Sequence, residues 1–207
     1  MFTYSTEIIE NLEKSISPER LSTYVLEANG DKKEALKLYL KNSEISSTFY
    51  IPLQSLEITL RNALNDVLRG HYNDAWYDTV QLNRRGQKNI ADAKDTVKRL
   101  HKQINPPHVI AELSFGFWLS LINKKYHQSL WIPVLNKAFP NAHMSRADIL
   151  KQLDHLRTFR NRIAHHEPVF KRHLEKDYNS IITAIEWVCK DTATWTDKHN
   201  NVLGMLK

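Results

Sequence analysis

SRADILKQLDHLRTFRNRIAHHEP, residues 145–168, decides how this chain folds. Ile149, Leu153 and Leu156 recur at steps of four and three. The stripe passes through position 160 and closes on Ile163 and Ala164. That spacing predicts an α-helix with one buried face. Ser145 stands at its N-cap, and Pro168 ends it, because the residue before a proline avoids the α region. Position 160 is the anomaly, since the stripe carries an arginine there. A buried guanidinium is costly unless paired. Either a carboxylate from another helix or a phosphate brought by a ligand must compensate it.

The same periodicity extends outward in both directions. Downstream, Leu174, Tyr178, Ile181, Ile182, Ile185 and Val188 predict a helix over about 171–190, with a fraying tail beyond Trp195. Upstream, Leu53, Leu56, Leu60, Leu64 and Val67 or Leu68 predict a long helical segment over about 43–69, with Pro52 a kink or a start within it. A loop is expected at 70–86, then a polar helix at 87–104, an aromatic-rich helix at 108–123 and another at 127–138. Near the N-terminus, Ser17-Pro18 reads as a cap with proline in the first turn. Gly30 reads as a stop and Asp31 as the next cap. Five glycines and seven prolines give few turns. The expected fold is all-α: a helical bundle over 43–196, a small N-terminal helical appendage over 1–42 and a tail over 197–207.

The 207 residues suffice for one sizeable core. A net charge of +6 and a pI near 9.3 suit an anionic partner such as nucleic acid, although a mildly basic balance is also ordinary. Cys189 is the only cysteine, which excludes an intrachain disulfide and a CxxC zinc site. The N-terminal MFTYSTEIIENLEK lacks a basic region followed by an apolar one, and FGFWLSLI at 115–122 is too short to span a bilayer. A cytoplasmic location away from membranes is expected.

Arg160, Asn161 and His165 together carry chemistry. Asn161 and His165 are four apart and share a helix face. An amide can orient an imidazole, and imidazole moves protons near neutral pH. With the arginine as phosphate clamp, these are the parts for cleaving RNA without metal or cofactor. A base deprotonates the 2′-hydroxyl, which attacks the adjacent phosphorus, and the guanidinium stabilises the added negative charge. The plainer reading pairs Arg160 with Glu57 in the core and leaves His165-His166-Glu167 as a wet helix end. A metal site of His165, His166 and His173 is disfavoured, because adjacent histidines on a helix point different ways. Glu57 and Arg61, four apart, suit a helix ion pair. Alternatively, Glu57 or Asn62 faces Arg160 across the bundle. Arg162, Lys124 and Lys125 are candidate RNA contacts, and Arg84-Arg85 and Lys98-Arg99-His101-Lys102 read as solvated faces. Phe115, Phe117, Trp118 and Trp131 would stack bases if exposed, but their helical spacing favours the core.

RNRIAH, 160–165, matches the Arg-x4-6-His motif of the HEPN superfamily. It resembles the Arg-Asn-x-x-x-His form in HEPN ribonucleases, including RNA-guided type VI CRISPR effectors. The likeness is broader. SPERLSTYVLEANGDKKEALKLYLKN (17–42), FYIPLQSLEITLRNALNDVL (49–68), VIAELSFGFWLSLI (109–122) and RNRIAHHEPVF (160–170) together resemble the Abi-like family, linked to bacterial abortive infection of phage. The resemblance implies a helical HEPN core and a homodimer with a composite site where two motif helices meet. It implies a metal-independent, cofactor-free endoribonuclease leaving 2′,3′-cyclic phosphate or 3′-phosphate and 5′-hydroxyl ends. In those terms Arg160 stabilises phosphate, Asn161 orients and His165 is the acid/base. His166 satisfies the looser spacing as well. A nuclease of this kind needs restraint, such as a regulatory RNA or an antitoxin. The competing expectation is a non-catalytic HEPN module that binds RNA or a partner protein.

Overall fold

The computed structural model describes residues 2–207, and every regular element among them is helical. Three helices open the chain: α1 (Thr6–Ile16), α2 (Pro18–Glu27) and α3 (Lys32–Thr48). The local signals act as expected. Ser17 accepts a hydrogen bond from the Arg20 amide, with Pro18 in the first turn. Gly30 takes φ 88° and Asp31 caps α3 through the Lys33 and Glu34 amides. α3 runs continuously through position 42.

The expected 43–69 segment is two helices. α3 ends at Thr48 and α4 covers Tyr50–His71. Pro52 has no N–H to donate to the Thr48 carbonyl four residues back, so one helix could not run through; proline fits the first turn of a new one. Phe49 sits at the junction fully buried, its ring edge-on to Phe159 at 4.9 Å. α4 then buries Leu53, Leu56, Leu60, Leu64 and Leu68, the stripe its periodicity predicts. A buried leucine contributes about 1.5–3 kcal/mol, so this face anchors the core.

The expected 70–86 loop carries α5 (Trp76–Thr79) and the start of α6 (Arg84–Arg99), capped by Asn83. Trp76 is buried and donates its indole N–H to Asn65 Oδ1 at 2.9 Å. The expected 108–123 helix divides into α7 (Pro106–Glu112) and α8 (Phe115–Leu121), because Ser114 caps a fresh start through the Phe117 amide. Residues 127–138 form a π-turn (His127–Trp131) and a 3₁₀ turn (Leu135–Ala138) rather than one α-helix.

α9 (Arg146–Ala164) carries the motif and packs between α8 and α10 (Leu174–Glu186). The C-terminus continues as α11 (Lys190–Lys198) and α12 (Val202–Met205). Val202 is fully buried and α12 rests on α3, where a frayed tail was expected. α4 contacts α8, α10, α11 and the 135–138 turn, which makes it the centre of the bundle. No helix of the described residues is long and apolar enough to cross a membrane.

Candidate functional site

Ser145 Oγ accepts the Asp148 amide at 3.2 Å and opens α9, which buries Ile149, Leu153, Leu156 and Phe159. The buried position of the last turn is therefore Phe159, and Arg160 lies at the edge of the stripe rather than on it. Its side chain keeps 39% exposure, so the cost of desolvation is partial. Arg160 Nε donates to Glu57 Oε2 of α4 at 3.3 Å, the partner that the plainer of the two readings gave it. Glu57 does not pair with Arg61. Arg61 Nε instead donates to Asn62 Oδ1 at 3.2 Å, which corrects the helix ion pair inferred from spacing.

The helix stops before Pro168 acts. His166 has φ 57°, its amide donates to Ile163 O at 3.0 Å, and the Glu167 amide donates to Arg162 O at 2.8 Å. This is the Schellman arrangement, with histidine where glycine usually stands. A side chain in the left-handed region costs about 1–2 kcal/mol and persists when its surroundings over-determine it.

Those surroundings come from the N-terminal helices. One Arg20 guanidinium nitrogen donates to His165 O at 3.1 Å and His166 O at 2.9 Å. Asn42, 3% exposed, accepts the Val169 amide at 2.7 Å and the Phe170 amide at 3.2 Å, and donates to Glu167 O at 3.4 Å. Tyr24 packs its ring on Phe170 at 5.4 Å, and Lys171 pairs with Glu27. Beyond the loop, Arg172 grips buried Asp177 with two bonds of 2.7 and 2.9 Å, and His155 reaches the same carboxylate at 2.9 Å. The loop after the motif is thus pinned at both ends. Arg20, Asn42 and Asp177 are functional candidates that the sequence reading missed. Asn42 did leave a signal: it interrupts the buried face of α3, between Leu36 and Ile45.

A cavity of about 570 Å³ opens between α3, α4 and α9. Arg160, Glu57, Arg61 and His166 line it, together with Ser46 and Tyr50. Asn161 and His165 do not line it; Asn161 is half-exposed and His165 exposed. Consecutive helical residues turn by ~100°, which separates Arg160 from Asn161. The end of α9 therefore presents two adjoining faces, one with Arg160 and His166 and one with Asn161 and His165. Among the described residues, these four side chains make no hydrogen bond to one another. Arg162 is exposed and lies 3.7 Å from Glu167, a weak surface pair. Asn62 lines a separate hollow beside α7 with Arg61. Lys124 and Lys125 lie in another hollow, beside α8 and α9. Phe115, Phe117, Trp118 and Trp131 are all at most 9% exposed and pack the core, so none offers a face to a base. Among the described residues, no three His, Cys, Asp or Glu side chains gather as a metal-binding group.

This is an all-α protein whose distinctive feature is an arginine, an asparagine and two histidines at a helix end held by backbone-directed bonds. The chain belongs to the Abi-like protein family, whose model matches residues 9–171, from α1 through the pinned loop. No curated protein and no solved structure matches it.

Proposed function

We propose that the chain is a metal-independent endoribonuclease of HEPN type, acting as a homodimer in bacterial abortive infection of phage or in a toxin-type system. The observation that carries this reading is Arg160. It is half-exposed on a cavity, restrained by one carboxylate, with imidazoles on both adjoining faces. A single 3.3 Å bond to Glu57 orients the guanidinium and leaves its terminal nitrogens for a phosphate. His165, one turn from Asn161, takes the 2′-hydroxyl proton. The 2′-oxygen attacks the adjacent phosphorus, the bond to the 5′-oxygen breaks, and that oxygen leaves with a proton donated by the imidazolium of His165 in the second copy. Arg160 stabilises the dianionic phosphorane. His166 supports the site from the cavity side.

One chain holds these groups on two faces without mutual bonds. That supports completion by a second copy, since an isologous pair brings two motif ends to one axis. It equally favours the alternative of a non-catalytic HEPN module, in which Arg160 clamps an anion of RNA or of a partner protein.

RNA cleavage in EDTA separates the two. Wild-type chain is expected to cut, leaving cyclic phosphate and 5′-hydroxyl ends. Arg160→Ala and His165→Ala should each lose about 100-fold or more with unchanged mass by light scattering. RNA bound but left intact by wild type would favour the binding module. Equal cleavage by the variants would remove the motif from the chemistry.

A further inference from the structure

A second hollow, of about 670 Å³, lies between α6, α8 and α9, apart from the Arg160 cavity. Six cations line it: Arg85, Lys124, Lys125, Arg146, Lys151 and Arg157, with Asp154 the one carboxylate. Asp154 is engaged by Arg157 at 2.8 Å. Arg146 is anchored by donating to Ile122 O at 2.6 Å. Lys125 lies over the Tyr126 ring at 4.8 Å. Among the described residues, Arg85, Lys124 and Lys151 pair with no carboxylate. So dense a set of like charges is unfavourable to hold together unless an anion joins it.

The hollow also has a direction. On α9 it is lined by Ala147, Leu150, Lys151, Asp154 and Arg157. Steps of four from Arg157 reach Asn161 and then His165, so the basic lining and the motif's solvent-side pair share one face of one helix. Lys151 to His165 is about 21 Å at 1.5 Å per residue. The lining offers no ring for stacking, because Phe117 is 1% exposed. Charge without base readout is the chemistry of a phosphodiester backbone contact.

We infer that this hollow is a sequence-independent track for the backbone of single-stranded RNA, which it delivers along α9 to Asn161 and His165. The inference deepens the nuclease reading and rests on it for the direction of travel. A compact acidic protein would match the charge but gains nothing from alignment with the motif.

The test measures the affinity of a fluorescein-labelled single-stranded RNA oligonucleotide over a salt series, in an Arg160→Ala chain so that the probe stays intact. For single strands the slope of log K against log salt changes by about 0.7 per phosphate contact. Lys124→Gln/Lys125→Gln/Lys151→Gln should flatten the slope by about 2 and weaken binding at least ~10-fold at low salt. Lys151→Gln alone should flatten it by about 0.7, which guards against misfolding of the triple variant. Lys14→Gln/Lys33→Gln/Lys98→Gln makes the same change in net charge elsewhere and should match the parent. Equal slopes in parent and track variants, or an equal loss in the control, would overturn the track. So would polyglutamate competing as well as RNA. The two readings fail separately. RNA held through these lysines but never cut by the chain with Arg160 intact sinks the nuclease and keeps the track; RNA cut at undiminished KM by the track variant does the reverse.

Discussion

His166 is the residue that turns the chain out of α9. At φ 57° it stands where glycine is at ease, and Arg20 holds its carbonyl at 2.9 Å. His166→Gly removes the strain and is expected to stabilise the fold by about 1 kcal/mol, seen as a raised urea midpoint at unchanged m-value. Cleavage by the same variant then measures the imidazole's own share in the chemistry, free of any folding defect. A loss of stability on this substitution would mean that the ring holds the loop through contacts of its own. Arg160 makes a related point. Its pairing partner was legible as one of two alternatives, a carboxylate or a ligand phosphate. The edge position in the structure accommodates the first and leaves room for the second.

At the scale of elements, the α2–α3 hairpin is the clamp on the motif loop. Asn42 satisfies two amides and one carbonyl of residues 167–170 from a buried position. Asn42→Ala leaves the Val169 and Phe170 amides without a partner and is expected to cost about 3 kcal/mol. Amide exchange should rise most over residues 165–170 and least in α4, whose leucine face is remote from the change. Uniform exchange gains through the bundle would instead make Asn42 a general core residue. α3 itself shows why its boundary was hard to place from sequence. Its apolar residues continue in phase with those of α4, and only Pro52's missing N–H marks the break at Phe49.

At the scale of the whole molecule, the buried phenols tie stability to alkaline pH. Burial pushes the Tyr24 phenol from 10.0 up to about 12, with the nearby Tyr39 adding to the shift and Arg20 opposing it. Burial raises Tyr77 and Tyr178 as well, and for Tyr178 the hydrogen bond to Asp197 adds to the effect. A folded-state value above the unfolded one keeps its contribution whole below the unfolded value and loses it as pH rises through the folded one. The phenols' contribution to stability should therefore be whole below about pH 10 and be lost between 10 and about 12. Among the described residues, the Tyr24 hydroxyl is also buried without a hydrogen-bond partner. Tyr24→Phe should melt no lower than wild type at neutral pH and should lose less between pH 10 and 12. A steeper alkaline loss in that variant would show that the hydroxyl is satisfied after all.

The long amphipathic helices were legible in the sequence, because they follow from spacings of three and four and from caps that act within one turn, whereas residues 127–138, expected as one helix, fold as two separate turns. Ser17, Asp31 and Ser145 each cap the helix they were expected to cap, and the leucines of α4 are buried as their period requires. The sequence alone also determined the chemical content of the candidate site, since Arg160, Asn161, His165 and His166 are consecutive features of one segment. The tertiary structure decided their arrangement. Glu57 reaches Arg160 across 103 residues, and Arg20 reaches His166 across 146. It also decided that His166 lines the Arg160 cavity while Asn161 and His165 do not. Those relations depend on how separate helices cross and where one of them ends in a left-handed residue, and periodicity within a helix carries no record of either.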